Sequence, residues 1–287
     1  MIDRRGFLGL APAALAGLSA LPQRLHAAAS EEADPFGGFT LGIQSYTFRN
    51  FNLEQALRHI KDLGLHSVEF SQGHAPLTDD SAKAEALVRL CKEYDITPRA
   101  WGVQKFTKDH DANRKSFEFG KMLGLQALSA NPDPDAFDSL DKLCDEYKIA
   151  IAIHPHGPTG GGKLDRWYSA ELIYAAVKDH HPLVGACLDT GHLIRSAQLG
   201  KDLDPAQQVR VMRDRNFGLH LKDHDNTRKT DVPYGKGVLD VAAVLKALRE
   251  VKFKGMISIE YEANPDDPTA DVRACVDYFK DTVKKLS

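Results

Sequence analysis

Four apolar runs in this chain end in residues that bind metal ions or move protons. Asn216 to Leu219 runs into His220-Leu221-Lys222-Asp223, and Ile149 to Ile153 into His154-Pro155-His156. Val184 to Leu188 runs into Asp189-Thr190-Gly191-His192, and Met256 to Ile259 into Glu260-Tyr261-Glu262. A buried strand that meets a loop fixes the first polar side chains beyond it, and enzymes built on parallel sheets keep their chemistry there. His154, Asp189, His220 and Glu260 supply two imidazoles and two carboxylates, a set that suits one divalent ion such as Mn, Co, Zn, Fe or Mg. No thiolate is among them, which argues against a structural zinc site. A single His or Asp at a strand end is more often a cap or a loop hydrogen bond than a ligand. The reading rests on all four occurring together.

The elements that must position these groups follow from the alternation of short β-rich runs with longer helical patterns. Strands are predicted at Thr40 to Tyr46, Ser67 to Phe70, Thr97 to Val103, Gln126 to Ser129, Ile149 to Ile153, Val184 to Leu188, Asn216 to Leu221 and Met256 to Ile259. A helical pattern follows each, the first from the N-cap Asn52 with Leu53, Ala56, Leu57, Ile60 and Leu63 at helical spacing and Gly64 as its stop. Parallel strands need a crossover helix between them, and eight such units in about 250 residues are the size of a single α/β domain, a closed (β/α)8 TIM barrel. An open doubly wound sheet is the rival, but Gln44-Ser45-Tyr46-Thr47 stands after the first strand in place of a GxGxxG turn.

In a closed barrel, strand ends distant in sequence meet at one mouth, with neighbouring strands about 4.8 Å apart. The four ligand candidates end strands five to eight. His192 and Asp223, each three residues past a candidate ligand, can orient ligands or reach a substrate, and Lys222 can contact a substrate oxygen. Glu69 ends strand two. Trp101, Phe48 and Tyr46 can form an apolar wall on the far side of the mouth, and the loop Gly157 to Gly162 can serve as lid or connector.

The chain has 287 residues, 43% of them hydrophobic and 27% charged, with a formal net charge of −3. That balance gives no general attraction to phosphate backbones or anionic membranes, so a nucleic-acid partner is not expected and a small molecule is. Cys91, Cys144, Cys187 and Cys275 lie far apart with no CxxC pair, and no disulfide is expected. Residues 1–29 differ in kind. Arg4-Arg5-Gly6-Phe7-Leu8 precedes an Ala- and Leu-rich run from Gly9 to Leu21 and the small residues Ala27-Ala28-Ala29. This is similar to a twin-arginine export signal and implies a periplasmic or secreted protein with no stable membrane span after processing. Residues 30–38 read as a leader and 39–287 as the barrel domain.

From about Gly42 to Phe279 the chain resembles the xylose isomerase-like (β/α)8 superfamily of sugar isomerases and epimerases, which also holds inosose dehydratases and an endonuclease branch. Leu188-Asp189-Thr190-Gly191-His192, His220-Leu221-Lys222-Asp223, Pro233 to Gly237 and Ile259-Glu260 carry the likeness. The resemblance implies one divalent ion on Asp189, His220 and Glu260. On strand five His154 stands where many epimerases and isomerases have Glu, and His154-Pro155-His156 is closer to the inosose dehydratase branch.

The implied chemistry is proton transfer next to a carbonyl of a sugar or sugar derivative, through an enediolate that the ion stabilises. Glu262, His156, His192 and Glu69 are the candidates for base and acid. Loss of a β-hydroxyl or glycosidic oxygen would make the same intermediate collapse as in a lyase, the runner-up reading. A sugar-binding barrel without turnover is the non-enzymatic rival. Assembly into oligomers is compatible with the sequence.

Overall fold

A computed structural model describes residues 34–286. The predicted export signal, at 1–29, lies outside the described residues, as does the start of the leader. Eight parallel strands close into a barrel: β1 (Thr40–Gln44), β2 (Ser67–Phe70), β3 (Thr97–Phe106), β4 (Ala127–Pro132), β5 (Ala150–Ile153), β6 (Val184–Asp189), β7 (Asn216–Leu221) and β8 (Met256–Ile259). Around the ring the order runs β1-β8-β7-β6-β5-β4-β3-β2, so each strand lies beside its sequence neighbours and β1 closes on β8. The predicted single (β/α)8 barrel is the fold.

The outer layer is α1 (Leu53–Asp62), α2 (Ser81–Glu93), α3 (His110–Leu123), α4 (Phe137–Tyr147), α5 (Ala170–Val177), α6 (Thr190–Arg195), α7 (Pro205–Met212), α8 (Val241–Glu250) and α9 (Thr269–Leu286). Local chemistry starts and stops them. Asn52 caps α1 by accepting the Gln55 N–H, while the Gln55 side chain accepts the Asn52 N–H, satisfying two helix-end donors reciprocally. Gly64 then ends the turn at φ +73°, a conformation that side chains disfavour. Between these signals Ala56, Leu57 and Ile60 face the barrel, fully or almost fully buried. All four cysteines are buried and free. Among the described residues no helix is long and apolar enough to cross a membrane.

Two features go beyond the predicted alternation. Helix α6 follows β6 with no loop between them, because the Asp189 side chain caps it by accepting the His192 N–H at 2.7 Å. At six residues it is too short to leave a hydrophobic period in the sequence. Two short antiparallel ribbons also stand on the C-terminal ends of the strands, Pro158–Thr159 with Lys163–Leu164 and Asp223–Asp225 with Thr230–Val232. The first turns the Gly157 to Gly162 loop into a hairpin.

The second ribbon and the loop behind it are held by one carboxylate. Asp223 is 1% exposed and accepts four backbone N–H groups, those of His224, Gly235, Gly237 and Leu239, at 2.9 to 3.0 Å. A Cβ on Gly237 would lie 2.3 Å from Asp223 Oδ1, so the loop closes on this carboxylate only with glycine there. Asp223→Ala would strand several of these buried donors at once and should lower unfolding free energy by about 4 kcal/mol, read from the urea midpoint. An unchanged midpoint would show that the loop holds itself.

Candidate functional site

The barrel register sets the site. Asp189 on β6 lies opposite His220 on β7, and His220 opposite Ser258 on β8, with Glu260 just beyond the strand end; His154 follows β5. His154, Asp189, His220 and Glu260 thus leave four neighbouring strands and converge. Asp189 and His220 are fully buried, and His154 and Glu260 nearly so. His220 Nδ1 lies 3.0 Å from His154 Nε2, 3.2 Å from Glu260 Oε2 and 3.9 Å from Asp189 Oδ2, and His154 Nε2 is 3.5 Å from Asp189 Oδ2. One ligand atom from each of the four lies within 4.8 Å of the others.

Glu69 lies beneath them. Its Oε2 sits 2.8 Å from His220 Nε2 and accepts the Ser258 hydroxyl, so it holds a proton on Nε2 and aims Nδ1 at the cluster. Burial alone would lower the pKa of His220, but Cys187, Glu69 and Glu260 around it raise it well above the usual histidine range. Without a cation the imidazolium is therefore the resident positive charge, its second N–H shared between Glu260 and His154. Asp189 Oδ2 and His154 Nδ1 are buried with no hydrogen bond. Two imidazole nitrogens and two carboxylate oxygens that converge, one of those oxygens lacking a donor, fit a divalent ion that would displace this proton.

Lys222 is the other cation. The side chain that sequence suggested for a substrate oxygen is 1% exposed and reaches inward, its Nζ 2.9 Å from Glu260 Oε2, 3.3 Å from Asp189 Oδ2 and hydrogen-bonded to Glu262 Oε1. It forms ion pairs with all three carboxylates, and its one hydrogen bond goes to Glu262. Gly191 makes room for it, since a Cβ there would lie 2.6 Å from Lys222 Cδ. The backbone around it is locked as well, with the Thr190 hydroxyl accepting the Lys222 N–H and donating to the Lys222 carbonyl. Burial would raise the carboxyls of Asp189 and Glu260, yet Lys222, with the histidines beside them, takes Asp189 well below the usual range and Glu260 down to about 2.

Above the cluster opens a cavity of about 560 Å³. Glu260 and Glu262 reach it from the end of β8, His154 and His156 from β5, His192 from α6 and Tyr46 from β1. Besides Lys222, three residues expected to bind or act on a substrate do not line it. Trp101 is fully buried, packed edge-on against Phe119 of α3 with its indole N–H on the Ala75 carbonyl, because its side chain leaves β3 on the helix-facing side. Phe48 is fully buried against Phe51 and His59. Glu69 stays inside the barrel as the partner of His220. Of the proposed aromatic wall only Tyr46 stands at the mouth, its ring under the Arg49 guanidinium at 4.8 Å.

Burial pushes His156 down to about 4, and His192 also lies well below the usual histidine range; both imidazoles are neutral at neutral pH. Arg49 and Arg195 also line the cavity and went unnoticed in the sequence. Arg195 lies one helical turn past His192, a spacing with meaning only once α6 is known.

A family model described as xylose isomerase-like TIM barrel matches residues 57–282. No curated protein is significantly similar to the chain. Among solved structures, an uncharacterized protein from Parabacteroides distasonis is 27% identical, with TM-score 0.65 over 87% of this chain and 99% of that one. A 3-keto-D-glucoside 4-epimerase from E. coli is 17% identical, with TM-score 0.66 over 85% and 99%. An L-ribulose 3-epimerase is 14% identical, with TM-score 0.66 over 86% and 96%. At such identities the two epimerases share the fold.

The depressed carboxyls have a measurable consequence. Glu260 is held below its unfolded value near 4.3, so its stabilisation is complete above that pH and is lost as pH falls through about 2. In chelator-treated protein, Glu260→Gln should flatten the acid limb of unfolding free energy between about pH 4 and 2, by up to about 1.4 kcal/mol per pH unit. Parallel limbs in urea titrations of the two proteins would refute the ionised, paired Glu260.

Proposed function

The chain belongs to the xylose isomerase-like TIM barrel family, and from that premise we propose that it is a metal-dependent isomerase or epimerase of sugars or sugar derivatives, moving a proton at the carbon beside a carbonyl. One observation carries the reading: His154, Asp189, His220 and Glu260 converge at the floor of a cavity with Glu262 and His156 at its sides. The epimerase activities named for the structural neighbours agree with it. His154, Asp189, His220 and Glu260 would hold the ion. When bound, the ion supplies Lewis-acid polarisation of the substrate carbonyl, which acidifies the adjacent C–H.

The chain's own groups do the rest. Glu69 fixes the ring of His220, and Lys222 ties Asp189, Glu260 and Glu262 into one frame. The Glu262 backbone is pinned on both sides, its N–H on Asp231 and its carbonyl on Arg49, so its carboxylate stands at a fixed height over the floor. Glu262 comes from the β8 end of the mouth and His156 from the β5 end. A substrate between them has one proton-accepting group on each face. Whichever group begins unprotonated takes the proton, and the other returns one to the opposite face. Tyr46 covers the mouth with an aromatic surface that suits the apolar face of a sugar ring.

The neutral His156 favours a second reading, a lyase. An unprotonated imidazole already serves as base, and expulsion of a β-oxygen would then replace the second proton transfer. We extend the proposal to location: Arg4-Arg5 and the apolar run after them would carry the folded protein out of the cytoplasm.

Asp189→Ala and Glu260→Ala should each remove bound metal, measured by elemental analysis, together with turnover; full activity in metal-free protein would end the proposal. Keto-sugars incubated in deuterated water with the wild-type enzyme should take up deuterium beside the carbonyl, observed by NMR. Glu262→Gln should lower interconversion at least about 100-fold while leaving exchange from one epimer alone. Equal loss of exchange from both epimers would deny Glu262 a face of its own, and an eliminated product would select the lyase.

A further inference from the structure

One corner of the cavity carries a charge that the proton-transfer chemistry does not use. Arg195 lines the cavity, its Nε is buried with no hydrogen bond, and its Nη2 lies 2.9 and 3.1 Å from the two ring nitrogens of His192. Among the described residues it forms no ion pair. Arg49, the other cavity guanidinium, is spent on the carbonyls of Tyr46 and Glu262 and on the Tyr46 ring.

The histidine beside Arg195 can be assigned a tautomer. The Gly157 N–H donates to His192 Nδ1 at 2.9 Å, so that nitrogen carries the lone pair and Nε2 carries the proton. His154, His156 and His192 lie close enough to suggest a second cation site. A protonated Nε2 cannot ligate a metal, and a guanidinium in contact with the same ring repels one. Beside Arg195 the corner offers donors, the His192 N–H and a guanidinium.

Such a corner is made for an anion. It carries one positive charge, and a planar guanidinium fork matches a carboxylate, whereas a phosphate dianion would bring a charge too many. We infer that Arg195, with His192, binds a carboxylate on the substrate, so that the substrates are acidic sugars. This rests on the proposed sugar chemistry of the same cavity and narrows its substrate class. The carboxylate would sit at the β5 and β6 side of the mouth, away from the Glu262 carboxylate beyond β8.

The test is calorimetric titration of the manganese-loaded protein with D-glucuronate, D-glucose and D-glucose 6-phosphate. Wild type should bind glucuronate at least about tenfold more tightly than glucose, the worth of one charge-assisted pair. Arg195→Met should abolish that preference and leave glucose affinity within about threefold, and Arg195→Lys, which keeps the charge without the fork, should retain part of it. Equal affinities for glucuronate and glucose in wild type, a preference that survives Arg195→Met, or tighter binding of the phosphate would each overturn the inference. If Arg195→Met does not fold, the wild-type preference and its reduction in Arg195→Lys decide. A glucuronate preference in a protein that exchanges no proton on any keto-sugar would leave the subsite standing and remove the isomerase reading.

Discussion

The structure depends on a buried ammonium. Lys222 enters the top of the barrel with three carboxylates around it and His220 beside them, itself clasped between Glu69 and Glu260. Removing either partner from a buried ion pair costs about 3 to 5 kcal/mol, because the remaining charge cannot return to water. These groups therefore stand or fall together. The surrounding backbone is shaped to keep them: Thr190 bonds both ways to Lys222, Gly191 leaves space for its stem, and Asp189 caps the helix that carries His192.

The same network explains why so much polar chemistry survives inside a barrel core. Glu69, Asp189, Glu260 and Glu262 bring four carboxylates to a small volume, and His220 and Lys222 answer two of those charges. A divalent cation that displaced the His220 proton would leave one negative charge over. The barrel supplies rigidity, since each group stands on or just past a strand tied to its neighbours, and the register aligns Asp189, His220 and Ser258 in one row.

How much of this was legible in the sequence follows from what each signal encodes. The eight strands were readable because each is a short β-rich run between helical periods, and the convergence of His154, Asp189, His220 and Glu260 followed from a closed barrel whose strand ends share one face. Side-chain direction was not readable. Trp101 lies within β3, where a shift of one residue turns a side chain from the barrel interior to the helix layer, and Tyr46 and Phe48 lie on a 3-10 turn past β1, where the strand alternation no longer applies. Lys222 read as a contact for a substrate oxygen because nothing local states that three distant carboxylates surround it. Arg195 escaped because its context is a six-residue helix with no periodicity to detect.

His154 is the position where this chain departs from the Glu that its resemblance suggests, and the charges around it supply a physical reason. A carboxylate there would be a fifth acid in a buried cluster with two resident cations, and each unpaired charge taken from water costs several kcal/mol. An imidazole brings a ligand nitrogen without a charge. The substitution moves acidity away from the β5 side of the mouth, which holds His154, His156, His192 and Arg195, while the carboxylates that remain belong to β2, β6 and β8 or follow them. The cavity thereby becomes polar across its width: carboxylates over one end, the Arg195 guanidinium and the His192 N–H over the other. A substrate whose own charge is uneven would enter it in one orientation, and that orientation decides which carbon lies between His156 and Glu262.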